Sequence, residues 1–142
     1  MTVKQLSVFV ENRRGRLGEV LAVLKEHHVN ILSMSLADTT EYGLLRLIVS
    51  DPEVGRVSLL DAGFSSMVTD VLIIKIPHRA GSLQEILETV AAREISIEYM
   101  YGLSVGTADA CVVMKTGDLE LAMAVLSECG IGTLSTEELA AL

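Results

Sequence analysis

The sequence predicts an α+β fold in which one small βαββαβ unit occurs twice, at residues 1–69 and 70–142. Three observations carry this expectation. The chain lies on itself at an offset of 66 residues, Leu6–Ile48 on Leu72–Met114 without a gap, and the identical pairs include Arg13/Arg79, Gly15/Gly81, Leu17/Leu83 and Glu19/Glu85. Each copy opens on alternating apolar residues, which is strand spacing. Each then passes through an arginine–glycine–leucine segment, RRGRL or RAGSL, into apolar residues at helical spacing.

The elements follow in order. Leu6, Val8 and Val10 alternate, and beyond Asn12 and Gly15 the residues Leu17, Val20, Leu21 and Leu24 line one face of a helix. Residues 29–36 and 43–49 read as strands around the turn-like DTTEYG. Asp51-Pro52 opens a second helix that offers Val57, Leu59 and Leu60 to a core and ends at Gly63, and residues 64–69 form a last strand. In the second copy residues 71–76 form the strand and Leu83, Ile86, Leu87 and Val90 the helix face. Strands are expected at 95–105 and 108–115, a helix capped by Asp118 runs through Cys129, and 131–134 closes the unit. The tail TEELAAL reads as a final helical turn or as unstructured chain.

This order is the split-βαβ, or ferredoxin-like, unit, whose two helices cover one face of a four-stranded sheet. The other face is not polar, since residues 44–49 and 110–114 are apolar almost throughout. A unit of this size does not bury two apolar faces alone, so association is expected, at least to a homodimer.

Composition narrows the function classes. Half of the residues are hydrophobic and few are aromatic, so the core is built from Leu, Val, Ile, Ala and Met. A net charge of −8 opposes a broad nucleic-acid surface, whose footprint is basic. Cys111 and Cys129 show no metal-ligand spacing, which leaves inert thiols in a reducing compartment and no metal or cofactor. No secretory leader and no apolar run of spanning length is present, so a cytoplasmic protein without a membrane partner is expected. No nucleophile–base–acid constellation or paired catalytic carboxylates emerge, and the expectation is a non-enzyme.

The repeated corner has a chemistry of its own. A helix start presents unpaired N–H groups and the positive end of the helix dipole, and a glycine before it lets a small anion approach. Asn12 adds both donor and acceptor beside the first corner, which suits the carboxylate and amino groups of a free amino acid. The glycines serve a bare strand-to-helix turn equally well. A dinucleotide fingerprint is excluded, because neither copy has its three glycines. Arg13, Arg14 and Arg16 concentrate positive charge at the first corner, to steer an anion, dock a partner or simply face solvent. Tyr99 and Tyr101 share one side of a strand, where they wall a ligand or line an interface. His27-His28 reads as a helix-end feature.

The run LSVFVENRRGRLGEVLAVLKEHHVNI resembles the opening of an ACT domain, through Glu11-Asn12, Gly15-x-Leu17 and Val29-Asn30-Ile31. It is similar to the ACT units of phosphoglycerate dehydrogenase and of the acetolactate synthase small subunit, and the resemblance extends over the whole chain as two tandem units, weaker in the second. It implies a regulatory protein that binds a free amino acid where two units meet, the corner coming from one and the start of the second strand from its neighbour. Asn12 and Asn30 match the family's two ligand-binding asparagines, with backbone N–H groups from Gly15, Arg16 and Leu17 and with Ile31 beside Asn30. In the serine-binding pattern a histidine precedes the first asparagine by two residues, where this chain has Val10. In the second unit His78 and Ser96 replace the asparagines, with Gly81, Ser82, Leu83 and Ile97 completing the set. The alternative is a regulatory subunit that docks onto a metabolic enzyme, its ligand site vestigial.

Overall fold

The computed structural model describes residues 1–38, 41–103 and 109–141. By packing, the chain divides into one unit of Lys4–Thr69 and another of Met1–Val3 with Asp70–Leu142. In chain order the elements are β1 (Val3–Glu11), α1 (Arg16–Glu26), β2 (Ile31–Asp38), β3 (Tyr42–Val49), α2 (Pro52–Asp61) and β4 (Ser66–Pro77). Then come α3 (Ser82–Ala92), β5 (Ile97–Leu103), β6 (Asp109–Thr116), α4 (Leu119–Glu128) and α5 (Thr136–Ala140).

In the first unit β3 lies antiparallel between β1 and β2, with Leu6 opposite Leu47 and Met34 opposite the same residue from the other side. Side chains alternate across a strand, so Leu6, Val8 and Val10 of β1 and Leu45, Leu47 and Val49 of β3 point to one face. There they meet Val20 and Leu24 of α1, Leu59 of α2, and Phe64. The second unit repeats the plan: Leu72, Ile74 and Ile76 of β4 with Val112 and Met114 of β6 pack under Ile86 and Val90 of α3 and Ala122, Val125 and Leu126 of α4. Ile48, Ile73 and Val113 alternate to the opposite faces and are fully buried as well.

The caps read from sequence are in place. Asp51 accepts from the Val54 N–H at 3.1 Å and Asp118 from the Leu121 N–H at 3.0 Å. The Nδ1 atom of His27 lies 2.9 Å from the Val23 carbonyl oxygen at the end of α1, a helix-end contact.

Four expectations need correction, and the first is the core face of α2, where Leu59 is buried but Val57 and Leu60 are 43% and 45% exposed. The ungapped offset of 66 holds through β2 and β5 and then becomes 67, because Leu6 faces Leu47 whereas Leu72 faces Met114. The extra residue falls between the end of β5 and the start of β6. Residues 64–69 and 71–76 are not separate strands, since no Gly or Pro interrupts them and β4 continues from Ser66 to Pro77. Residues 131–134 make an isolated bridge, Ile74 with Thr133, rather than a strand. Of the two readings of the tail the helical one holds, through a capping box in which Ser135 and Glu138 each bond the other's backbone N–H. The strand ends expected at Val105 and Ala108, and Thr39 and Thr40 of the DTTEYG turn, lie outside the described residues.

Candidate functional site

The two corners share one backbone. Gly15 has φ 86°, ψ −11° and Gly81 φ 86°, ψ −12°, the left-handed region that favours glycine. Arg13 N–H donates to the Glu11 oxygen at 2.8 Å and Arg79 N–H to the Pro77 oxygen at 3.0 Å. Arg16 N–H to Arg13 and Ser82 N–H to Arg79 are both 3.3 Å. Neither helix has a side-chain cap, so the first-turn N–H groups of Leu17 and Gly18, and of Leu83 and Gln84, remain for an outside acceptor. The Arg16 N–H is already engaged, which leaves Gly15 and Leu17 of the three expected donors.

A Cβ added at Gly15 or Gly81 would meet no atom within 4 Å, so alanine there is penalised by backbone conformation alone. Gly15→Ala and Gly81→Ala are each expected to lower stability by about 1–2 kcal/mol, measured by urea denaturation. A neutral result would mean that the turn relaxes out of the left-handed region.

Asn12 is exposed beyond the end of β1, and its N–H donates to the Glu41 oxygen at 3.0 Å. Asn30 is exposed just before β2; its N–H donates to Ser50 Oγ at 2.9 Å, and its carbonyl accepts from the Ser50 N–H at 2.9 Å. The structure does not bring these two together within a unit. Glu11 pairs with Tyr42 at one end of β3, and Ile31 with Val49 at the other. At about 3.3 Å per residue those ends are about 23 Å apart. His78 and Ser96, both exposed, are separated in the same way, Pro77 opposite Asp109 and Ile97 opposite Thr116 on β6. Any site that uses both positions needs the corner of one unit and the strand start of another.

The basic loop is less positive than its sequence. Arg13 pairs with Glu11 at 2.9 Å, and Arg16 pairs with Glu19 while its guanidinium carbon sits 4.3 Å from the centre of the Phe64 ring. The Arg16–Phe64 contact, invisible to local patterns, joins the start of α1 to the residue that follows the Gly63 turn. Leu17, Ile31, Leu83 and Ile97 lean on their units' cores. Tyr99 and Tyr101 are half-buried on β5. Among the described residues no group of His, Cys, Asp and Glu could hold a metal, and no helix is long and apolar enough to cross a membrane.

Two helix-backed antiparallel units, each with the same uncapped glycine corner, define a tandem pair of ferredoxin-like units. The family model for the ACT domain pair matches residues 1–142, and the chain belongs to that family. Protein BT0572 from Bacteroides thetaiotaomicron is 36% identical, with a TM-score of 0.93 over 100% of this chain and 98% of that one. The regulatory subunit of aspartate kinase from Thermus thermophilus, in its ligand-free form, shares the fold at 12% identity and a TM-score of 0.65, over 88% of this chain and 90% of that one. The corresponding subunit from Thermus flavus gives 14% and 0.63, over 87% and 88%. None of the curated proteins matches the chain.

Proposed function

We propose that this protein is a cytoplasmic, non-catalytic regulator that binds a free amino acid between the corner of one ACT unit and the second-strand start of another, within a homodimer. The observation that carries the reading is the pair of uncapped glycine corners, identical in backbone, with free first-turn donors beside Asn12 in one and His78 in the other. The N–H groups take the carboxylate, and the side chains at 12 or 78 and 30 or 96 take the amino group. A ligand held across two units favours one packing over another by its difference in affinity, which is how occupancy becomes a signal.

Thermal unfolding against a panel of the common amino acids tests this. A ligand at a hundred times its dissociation constant adds about 2.7 kcal/mol, and the response should be confined to one side-chain class. Asn12→Ala and Asn30→Ala should each weaken binding about tenfold or more, near 1.4 kcal/mol. A flat panel overturns the reading.

The apolar surface of the first unit favours a second reading, a subunit that docks on a metabolic enzyme. Phe9 and Tyr42 on one face of its strands, and Met34 and Leu36 on the other, are each more than two-fifths exposed. A pull-down that returns an enzyme, together with a flat panel, would select it.

A further inference from the structure

The second unit holds a cleft of about 250 Å³ beside α3, lined by Ser82, Glu85, Ile86, Thr89, Cys129 and Ile131, together with Pro77 and Arg79. The first unit explains its origin. Across the repeat Arg16 corresponds to Ser82 by the α1/α3 register, and Phe64 to Ile131, because Phe64 N–H bonds the Leu59 oxygen as Ile131 N–H bonds the Leu126 oxygen. In the first unit the Arg16 guanidinium lies over the Phe64 ring and pairs with Glu19. In the second, both large side chains are replaced by smaller ones, while Glu85 keeps the place of Glu19. The space that a guanidinium fills in one unit is open in the other.

A second observation points to an occupant. Ser82 is only 3% exposed, and its hydroxyl has no hydrogen-bond partner although it lines the cleft. A buried hydroxyl without a partner is costly, and a ligand N–H removes that cost. Arg79 also lines the cleft. In the first unit its counterpart Arg13 is held by Glu11, but Pro77 stands at that position here, so Arg79 turns to Glu85 at 3.2 Å. Both of those side chains are about 60% exposed, and such a pair exchanges partners readily.

We propose that this cleft binds a small organic cation, a guanidinium or alkylammonium on a short aliphatic stem. The charged head sits between the Glu85 carboxylate and Ser82 Oγ, taking the place of Arg16, and the stem lies on Ile86 and Ile131, taking the place of Phe64. The chain's net charge of −8 favours approach of a cation. The site lies wholly within one unit, so it stands or falls separately from binding between units.

Cys129 reports on the cleft. It is an exposed free thiol on the lining, whereas Cys111 is buried and burial pushes its thiol up, so neutral iodoacetamide should alkylate Cys129 first and Cys111 slowly. With agmatine as the probe, Cys129 alkylation should slow saturably, about tenfold at ten times the dissociation constant, with Cys111 unchanged. Butyrate, which has a similar stem and the opposite charge, should not protect. Glu85→Gln should weaken the protection, and Ser82→Arg, which rebuilds the first unit's side chain, should abolish it. An unchanged Cys129 rate at saturating agmatine overturns the proposal, and so does equal protection by butyrate. If Ser82→Arg does not fold, the wild-type comparison of agmatine with butyrate decides alone.

Discussion

Truncating Leu24 to alanine is expected to lower stability by about 3 kcal/mol, the loss typical of a buried leucine whose surroundings cannot collapse. Leu24 has no exposed surface and sits where α1 faces the strands of the first unit, among Leu6, Val29, Leu45 and Leu59. Every one of those neighbours is anchored by a strand ladder, by α2, or by the turn after α1, so the cavity stays open. Urea denaturation followed by circular dichroism should show a lower midpoint for the transition that reports the first unit, with little change in slope. A loss under about 1 kcal/mol would mean that α1 slides inward and that the packing is softer than its burial implies.

Gly55→Val is expected to cost about as much, for the opposite reason. Gly55 is a buried glycine inside α2, and a Cβ built there lies 3.0 Å from Leu6 Cδ2, 3.5 Å from Leu24 Cδ2 and 3.8 Å from Val29 Cγ1. A β-branched side chain would force those core residues off their rotamers, at about 3 kcal/mol. The second unit shows the compensated arrangement, with Ala122 in place of Gly55 and Val90 in place of Leu24, both without exposed surface. Shortening Leu24 gives Leu6 room to retreat. Gly55→Ala combined with Leu24→Val should therefore be more stable than the two single effects predict, by at least about 0.5 kcal/mol in a double-mutant cycle. Strict additivity would show that the two helices do not share that space.

The parts of this fold that were legible in the sequence are those set by local chemistry. Asp51 and Asp118 mark helix starts, Gly63 falls where α2 ends, and the alternation of Leu6, Val8 and Val10 fixes the inner face of β1. The short α5 was legible only in part: TEELAAL admits a helical turn or unstructured chain, and the capping box of Ser135 and Glu138 decides between them. What local chemistry does not encode was missed. The one-residue insertion is visible only through cross-strand partners, and the Arg16–Phe64 contact joins residues far apart in the chain. The corners were located correctly, but that Asn12 and Asn30 stand at opposite ends of β3 depends on the sheet register, which no single segment contains.

The matching backbones of the two corners carry a consequence for how such a duplicated protein diversifies. The donors at Leu17, Gly18, Leu83 and Gln84 belong to the main chain, so ordinary side-chain drift does not delete them while the glycine turn persists. His78 stands where the first unit has Asn12 and Ser96 where it has Asn30, yet the glycine at the corner differs by a single degree in ψ. On the proposed reading, anchor and discriminator are separated: the main-chain anchor is the same in both copies, and each copy is free to acquire its own taste.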